Sequence, residues 1–384
     1  MKVSHVGSAG LPVFKDAGGA IQRRIAELAS AQVGAGHDVT VYSPAGPGFT
    51  GEREVGGVQV RYLGLRVPPP LGALEFQARV SKLLRRDPPP DVIHFHSQPE
   101  GALVTAGVPA AKIMSYDNFY FRRAERGLLH SGYRRALARF DALLPCSAYC
   151  ASASRDYWSL DGQRMHVFFN GVNLDQFHPD DEAGARERRQ FGTEGKVILY
   201  VGRVCEQKGS DTLLDAYQLI RDADDDVQLA IAGPIEQFYE SETSASTREW
   251  QARMSAAGAI YLGRIPDSRL AALYNAADLF VMPTRTLEMF GMAVVEAQAC
   301  GTPVVASDHG GLRETVPDGC GVRFPPGDPE ALADAVLGLL GDDQELARYG
   351  ARGAEHAQRF AWPRLAPELD EIYRAVARST ATAT

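Results

Sequence analysis

The chain has 384 residues, of which 45% are hydrophobic and 23% charged; this is the balance of a folded globular protein and more than one ordinary core accommodates. Its formal charge of −8 argues against a general nucleic-acid binder, so no nucleic-acid partner is expected. No apolar run is long enough to cross a bilayer. The opening Met1-Lys2-Val3-Ser4-His5-Val6-Gly7 reads as a strand instead of a signal peptide, and five cysteines without a framework suit reduced thiols in a cytoplasm.

Short β-rich runs alternate with Ala- and Leu-rich helical segments almost from end to end. Val39–Ser43, Asp91–Phe95, Lys112–Ser115, Ala142–Cys146 and Met165–Phe169 read as buried strands in the first half. Val197–Val201, Val227–Ala232, Ala259–Leu262, Leu279–Met282 and Pro303–Ala306 do so in the second. Strands spaced by helices predict βαβ units, hence an α/β fold with parallel sheets covered on both faces. Val58–Gly64, after Gly56-Gly57, is an edge or hairpin strand. The polar stretch from Pro179 to Gly195 reads as the linker, which sets the expected domains at 1–179 and 196–361, joined by 180–195 and followed by 362–384. Trp362–Arg378 is an amphipathic helix with Leu365, Leu369, Ile372, Tyr373 and Val376 on one face.

In open parallel sheets ligands sit outside the carboxyl ends of the strands, and the distinctive residues of this chain fall in those loops. Gly18-Gly19 precedes a helix and allows close approach to a phosphate, although a plain turn explains it as well. His94-Phe95-His96 ends a strand, with both histidines on one side. No nearby carboxylate or histidine supplies a third metal ligand, so no metal site is expected; His96 reads as a polar site residue and His94 as structural. Cys146 and Cys150 read as small buried thiols. Arg203 and Lys208, in Gly202-Arg203-Val204-Cys205-Glu206-Gln207-Lys208-Gly209, place a forked and a point cation before a helix, a combination suited to a diphosphate. From Met282 to Gly311, Glu288 and Glu296 flank a glycine turn that opens a helix, and Gly310-Gly311 follows a further strand. Unpaired N–H groups there suit phosphate, and carboxylates suit sugar hydroxyls. The basic stretch Arg122, Arg123, Arg126, Arg134, Arg135 and Arg139, and the shorter one Arg79–Arg86, fit either a salt-bridged face or contact with an anionic membrane surface.

In this order, Gly18-Gly19, Asp91–His96, Asn170-Gly171-Val172-Asn173, Gly202-Arg203 with Lys208-Gly209, Glu288 with Phe290-Gly291 and Glu296, and Gly310-Gly311 with Glu314 resemble the retaining nucleotide-sugar glycosyltransferases of family 4. The resemblance runs through nearly the whole chain and is strongest from Gly202 to Gly327. It implies a GT-B fold of two Rossmann-like domains facing across a cleft, the first binding a hydroxyl acceptor, the second the nucleotide-sugar donor. The last helix would return to the first domain. It further implies that Arg203 and Lys208 neutralise the donor diphosphate with help from N–H groups around Gly18, Gly19, Phe290 and Gly291. Glu288 would hold the transferred sugar, Glu296 the ribose, Arg264 and its loop the base, and His96 would lie near the reacting sugar. No cofactor or metal is implied. Met289 stands where the family often has Gly, Asn173 for a common Asp, Phe169 for a common Pro and Gln207 where Glu is frequent. The expected acceptor is small and polar: an antibiotic aminocyclitol, a thiol precursor or a saccharide. A membrane-surface enzyme acting on lipid or polysaccharide, a GT-B epimerase and a sugar-nucleotide binding protein stand as alternatives.

Overall fold

A computed structural model describes residues 1–8, 10–14, 19–67, 72–117, 128–160, 162–235 and 245–383. These fall into two units, one made of Met1–Gly171 with Trp362–Thr384 and the other of Val172–Ala361.

The first unit is built on β1 (Lys2–Val6), β2 (Asp38–Pro44), β3 (Gly51–Val55), β4 (Val58–Leu63), β5 (Val92–His96), β6 (Ala111–Tyr116) and β7 (Ala142–Pro145). Their order across the sheet is β3-β4-β2-β1-β5-β6-β7. Helices cover both faces of a parallel sheet, so a strand such as Val-Ile-His-Phe-His is buried at every residue and carries no polar alternation. β3 and β4 form the antiparallel hairpin at the edge. Gly56 and Gly57 turn it at φ +57° and +83°, values both central residues of such a turn require.

The expected strand over Met165–Phe169 is corrected. His166 and Phe168 donate amides to Leu143 and Pro145 of β7, but Met165 forms an isolated bridge with Leu143 and no strand develops. The apolarity of this run reflects the burial of Phe168 in the core, 1% exposed, and not a ladder.

The helix Trp362–Ala383 is part of this unit. Leu365, Leu369 and Tyr373 are at most 1% exposed in one cluster with Val3, Val92, Ile113 and Leu144. Three polar contacts fix its register: Trp362 Nε1 donates to Glu27 Oε2 at 2.7 Å, His37 Nε2 lies 2.8 Å from Asp370 Oδ2, and the Tyr373 hydroxyl lies 2.6 Å from His94 Nδ1.

The second unit is built on β8 (Val197–Val201), β9 (Gln228–Ala232), β10 (Ile260–Gly263), β11 (Leu279–Met282), β12 (Val304–Ser307) and β13 (Val322–Phe324). The order is β10-β9-β8-β11-β12-β13, all parallel. The three-residue β13 was not anticipated, being too short to leave a period.

The expected linker at 180–195 is also corrected. Asp180 caps a helix over Asp181–Arg188 by accepting from the Ala183 amide at 2.9 Å, and acidic residues open that helix while basic ones close it. The helix packs on the helix Asp267–Ala276. Gly184 lies so close to the Asn275 carbonyl that a Cβ would stand 2.4 Å from it. Arg269 Nε donates to Glu187 at 3.1 Å, and Arg188 Nη1 to Asp278 Oδ2 at 2.7 Å. The second unit therefore begins at Val172, before Pro179.

Among the described residues no helix is long and apolar enough to cross a membrane. Truncating Leu369, which is fully buried, to Ala is expected to destabilise the first unit by about 2–5 kcal/mol in urea titration. A loss below 0.5 kcal/mol would show that the last helix contributes no core.

Candidate functional site

In the second unit the strand order reverses at β8, which lies between β9 and β11. Loops leaving two strands on either side of such a switch point diverge and open a crevice between them. The loop after β8 carries Arg203 and Lys208; the loop after β11 carries Glu288, Phe290 and Gly291.

These loops are stitched together by main chain. Lys208 ends a single 3-10 turn, Glu206–Lys208, and the Gln207 carbonyl in its middle accepts from the amides of Arg285 and Thr286, each at 3.2 Å. The hydroxyls of Thr284 and Thr286 reach the same oxygen at 3.3 and 3.2 Å. Arg285 also pairs with Asp211 in the first turn of the next helix. Gly209, at φ +72°, lies against the Pro283 carbonyl, which a Cβ would meet at 1.8 Å. Only glycine admits both the conformation and the contact.

This stitching brings Lys208 Nζ to 2.6 Å from Glu288 Oε2, both side chains a quarter or less exposed. Burial pushes the Glu288 carboxyl up, but the Lys208 ammonium and the amides of Phe290 and Met289 outweigh it and hold the group below the usual carboxylate range. Glu288 is therefore an acceptor-only group with a cation beside it. The Gly310-Gly311 turn packs on the main chain here: the Gly311 amide donates to the Glu288 carbonyl at 2.8 Å, and a Cβ on Gly311 would stand 2.0 Å from the Met289 carbonyl. Met289 itself is 4% exposed; its side chain is core, and its amide serves Glu288. Gly291, at φ +89°, caps the helix Met292–Ala299.

Arg203 is half-buried, and among the described residues its guanidinium enters no ion pair. Its carbonyl accepts from the buried Tyr200 hydroxyl at 2.7 Å, which anchors the main chain under it. Glu296 is 3% exposed and takes a hydrogen bond from Tyr274 at 3.0 Å. Arg264 is exposed in the loop after β10. Five of the expected residues, Arg203, Lys208, Glu288, Phe290 and Gly291, thus sit on the two loops at the switch point. Sequence reasoning missed Gln207, Thr284, Thr286, Arg285 and Tyr274; the first of these acts through its carbonyl, which no side-chain pattern reveals.

In the first unit Gly18 lies outside the described residues. Gly19 caps the helix Ala20–Gly34 in extended conformation. His96 ends β5, before Ser97 in a left-handed turn at φ +55°, and its ring is 1% exposed. It stacks on His94 at 4.4 Å, and its Nε2 lies 3.0 Å from His5 Nδ1. The third histidine judged lacking is therefore supplied by β1, whose His5 is in register with His94. Ligand atoms of the three lie within 4.8 Å of one another.

Chemistry nevertheless favours a hydrogen-bonded network over a metal. His5 Nε2 bonds Gln32 at 2.7 Å, and His94 bonds Tyr373 and Ser115, each at 2.6 Å. Of these three rings, His96 has the one nitrogen, Nδ1, left without a partner among the described residues. The guanidinium of Arg24, 1% exposed and bonded to Asp117 at 3.0 Å, adds a positive charge that opposes a dication. Burial first, and neighbouring positive charge after it, drives His94 and His96 well below their ordinary values; burial lowers His5 to about 4.

Two family models match the chain: one described as glycosyl transferases group 1 over residues 181–356, the other as Glycosyltransferase Family 4 over residues 17–176. A phosphatidyl-myo-inositol mannosyltransferase of Mycobacterium leprae is 30% identical, the alignment covering 96% of each chain. D-inositol 3-phosphate glycosyltransferase 1 of Catenulispora acidiphila is 32% identical over 88% of this chain and 80% of its own. Sucrose-phosphate synthase from Thermosynechococcus elongatus has the same fold, with a TM-score of 0.82, 24% identity, and 98% and 99% of the two chains covered. An Anabaena protein solved with UDP-glucose superposes with a TM-score of 0.79 at 20% identity, covering 98% of this chain and all of that one.

The imidazoles set a pH dependence of stability. The unfolded chain protonates its histidines near pH 6.5, whereas folded His5 takes its proton near pH 4. Stability is therefore complete above pH 7 and falls as pH drops through this window, by roughly 3 kcal/mol from His5 alone. Urea midpoints at pH 7.5, 6, 5 and 4 test this; a flat profile would contradict a buried neutral network.

Proposed function

The chain belongs to the family 4 glycosyltransferases of GT-B fold, and from that premise we propose that it moves a hexose-type sugar from a nucleotide-diphosphate donor to a hydroxyl of a small cyclitol-type acceptor, with retention of configuration. The observation that carries this reading is the Lys208–Glu288 pair at the switch point beside Arg203. Two cations and one carboxylate on the two loops at the switch point suit a diphosphate and the hydroxyls of its sugar. The two inositol-named relatives support a cyclitol ring as acceptor.

In this reading Arg203 and Lys208 bind the diphosphate, with the amides at Phe290 and Gly291. Glu288 accepts from hydroxyls of the sugar, Glu296 from the ribose, and the loop at Arg264 frames the base. As the bond from the anomeric carbon to the phosphate oxygen breaks, negative charge grows on the diphosphate. Preorganised cations stabilise it most at that point. The acceptor hydroxyl attacks the same face, and its proton passes to the departing phosphate oxygen. His96, buried as it is, supports the acceptor side through the strand it ends and does not contact the sugar directly.

Positive side chains carry the charge that a divalent ion carries in other transferases, so no metal is required. A lipid-linked cyclitol is the second reading, favoured by the basic helix Gly72–Arg86, on which Leu74 is 54% exposed.

Three outcomes are expected. Lys208→Ala lowers kcat by about 100-fold or more in a donor-turnover assay; an unchanged rate removes Lys208 from the mechanism. EDTA leaves turnover of the purified protein intact, and its abolition refutes the metal-free scheme. Proton NMR of the glycoside formed with myo-inositol or an aminocyclitol gives the anomeric configuration of the donor; inversion or formation of a sugar epimer from donor alone contradicts the proposal.

A further inference from the structure

Glu296 raises a question of aim. A carboxylate on a helix rotates readily about its last torsion, which is broad and two-fold, so a diol-binding glutamate needs something to set its plane. The donor for that task is the Tyr274 hydroxyl.

Tyr274 is completely buried in the helix Asp267–Ala276. Its ring is held edge-on to Phe280 at 5.5 Å and Phe177 at 6.1 Å, and its own carbonyl takes the Thr302 hydroxyl at 2.8 Å. Ring and main chain being fixed, its hydroxyl points one way and donates to Glu296 Oε2 at 3.0 Å. The charge of Glu296 registers on a neighbour too: the thiol of Cys300 is pushed up, by burial first and by Glu296 next. An ionised carboxylate offers about four acceptor positions over two oxygens. A carboxylate whose plane is set by the Tyr274 hydroxyl presents its acceptor positions in fixed directions, which is what a vicinal diol needs.

We propose that Tyr274 is a positioning residue that orients the Glu296 carboxylate for the 2′- and 3′-hydroxyls of a nucleotide's ribose, and so sets the preference of this site for ribonucleotides over 2′-deoxyribonucleotides. The inference rests on the reading of Glu296 as the ribose-binding residue. Tyr274 touches no substrate; it acts through Glu296. Hydrogen bonds to charged groups discriminate strongly, so the 2′-hydroxyl is worth about 10- to 100-fold in affinity when the carboxylate is aimed.

Calorimetric titration of the full chain with UDP, GDP and ADP and their 2′-deoxy counterparts tests it, on wild type, Tyr274→Phe and Glu296→Gln. The readout is the ratio of the two dissociation constants for the base that binds best. A fall in folded fraction lowers active concentration for both nucleotides and leaves that ratio alone. The expected result is a wild-type preference for the ribonucleotide that shrinks at least about 5-fold in both variants, with the 2′-deoxynucleotide bound by Tyr274→Phe as by wild type. If Glu296→Gln reduces the preference and Tyr274→Phe does not, the positioning role falls alone. If Glu296→Gln leaves it intact, or wild type shows no preference, the ribose reading falls and this inference with it. Failure of every nucleotide to bind overturns the donor reading as a whole.

Discussion

Lys208 and Glu288 are 80 residues apart in the chain and 2.6 Å apart in space, and the site depends on what keeps them there. Two opposite charges on free loops would wander, since a partly exposed ion pair holds itself only weakly. The holding is done by main chain: one carbonyl, that of Gln207, takes donors from the Thr284–Thr286 segment, while glycines at 209 and 311 let backbone meet backbone. The ion pair is thus a consequence of loop packing.

The first unit solves a different problem. It buries an arginine, three imidazoles and a tyrosine hydroxyl beneath one sheet and connects them, which keeps the imidazoles neutral and ties the last helix to the central strands. Such a network is costly if any member is unpaired and rigid if all are paired. Among the described residues Nε of Arg24 and Nδ1 of His96 are without a partner, and the latter sits at the carboxyl end of β5, the end of the sheet where loops carry chemistry.

Much of the fold was legible in the sequence because both sheets, the edge strand β3 apart, are parallel and covered on two faces. Each covered strand is then a short apolar run, and runs from Val39 to Pro303 were readable as strands within a residue or two of their ends. Met165–Phe169 misled because a side chain can be buried in a core without its backbone joining a ladder. The polar run after Pro179 misled because a short helix lying on a surface by ion pairs has little apolar face; Asp180 as its cap was the readable signal.

By itself the sequence determined the α/β class, the amphipathic last helix, the glycines of the turns and the residue types at Arg203, Lys208, Glu288 and Glu296. These are local matters, governed by side-chain period, positive φ and the chemistry of single residues. Only the tertiary structure decided that His5 joins His94 and His96, that the last helix completes the first core, that Tyr274 meets Glu296, and that Gln207 binds the two loops. The reason is that strand order and register are set by how whole βαβ units pack, and periodicity along one strand says nothing about which strand lies beside it.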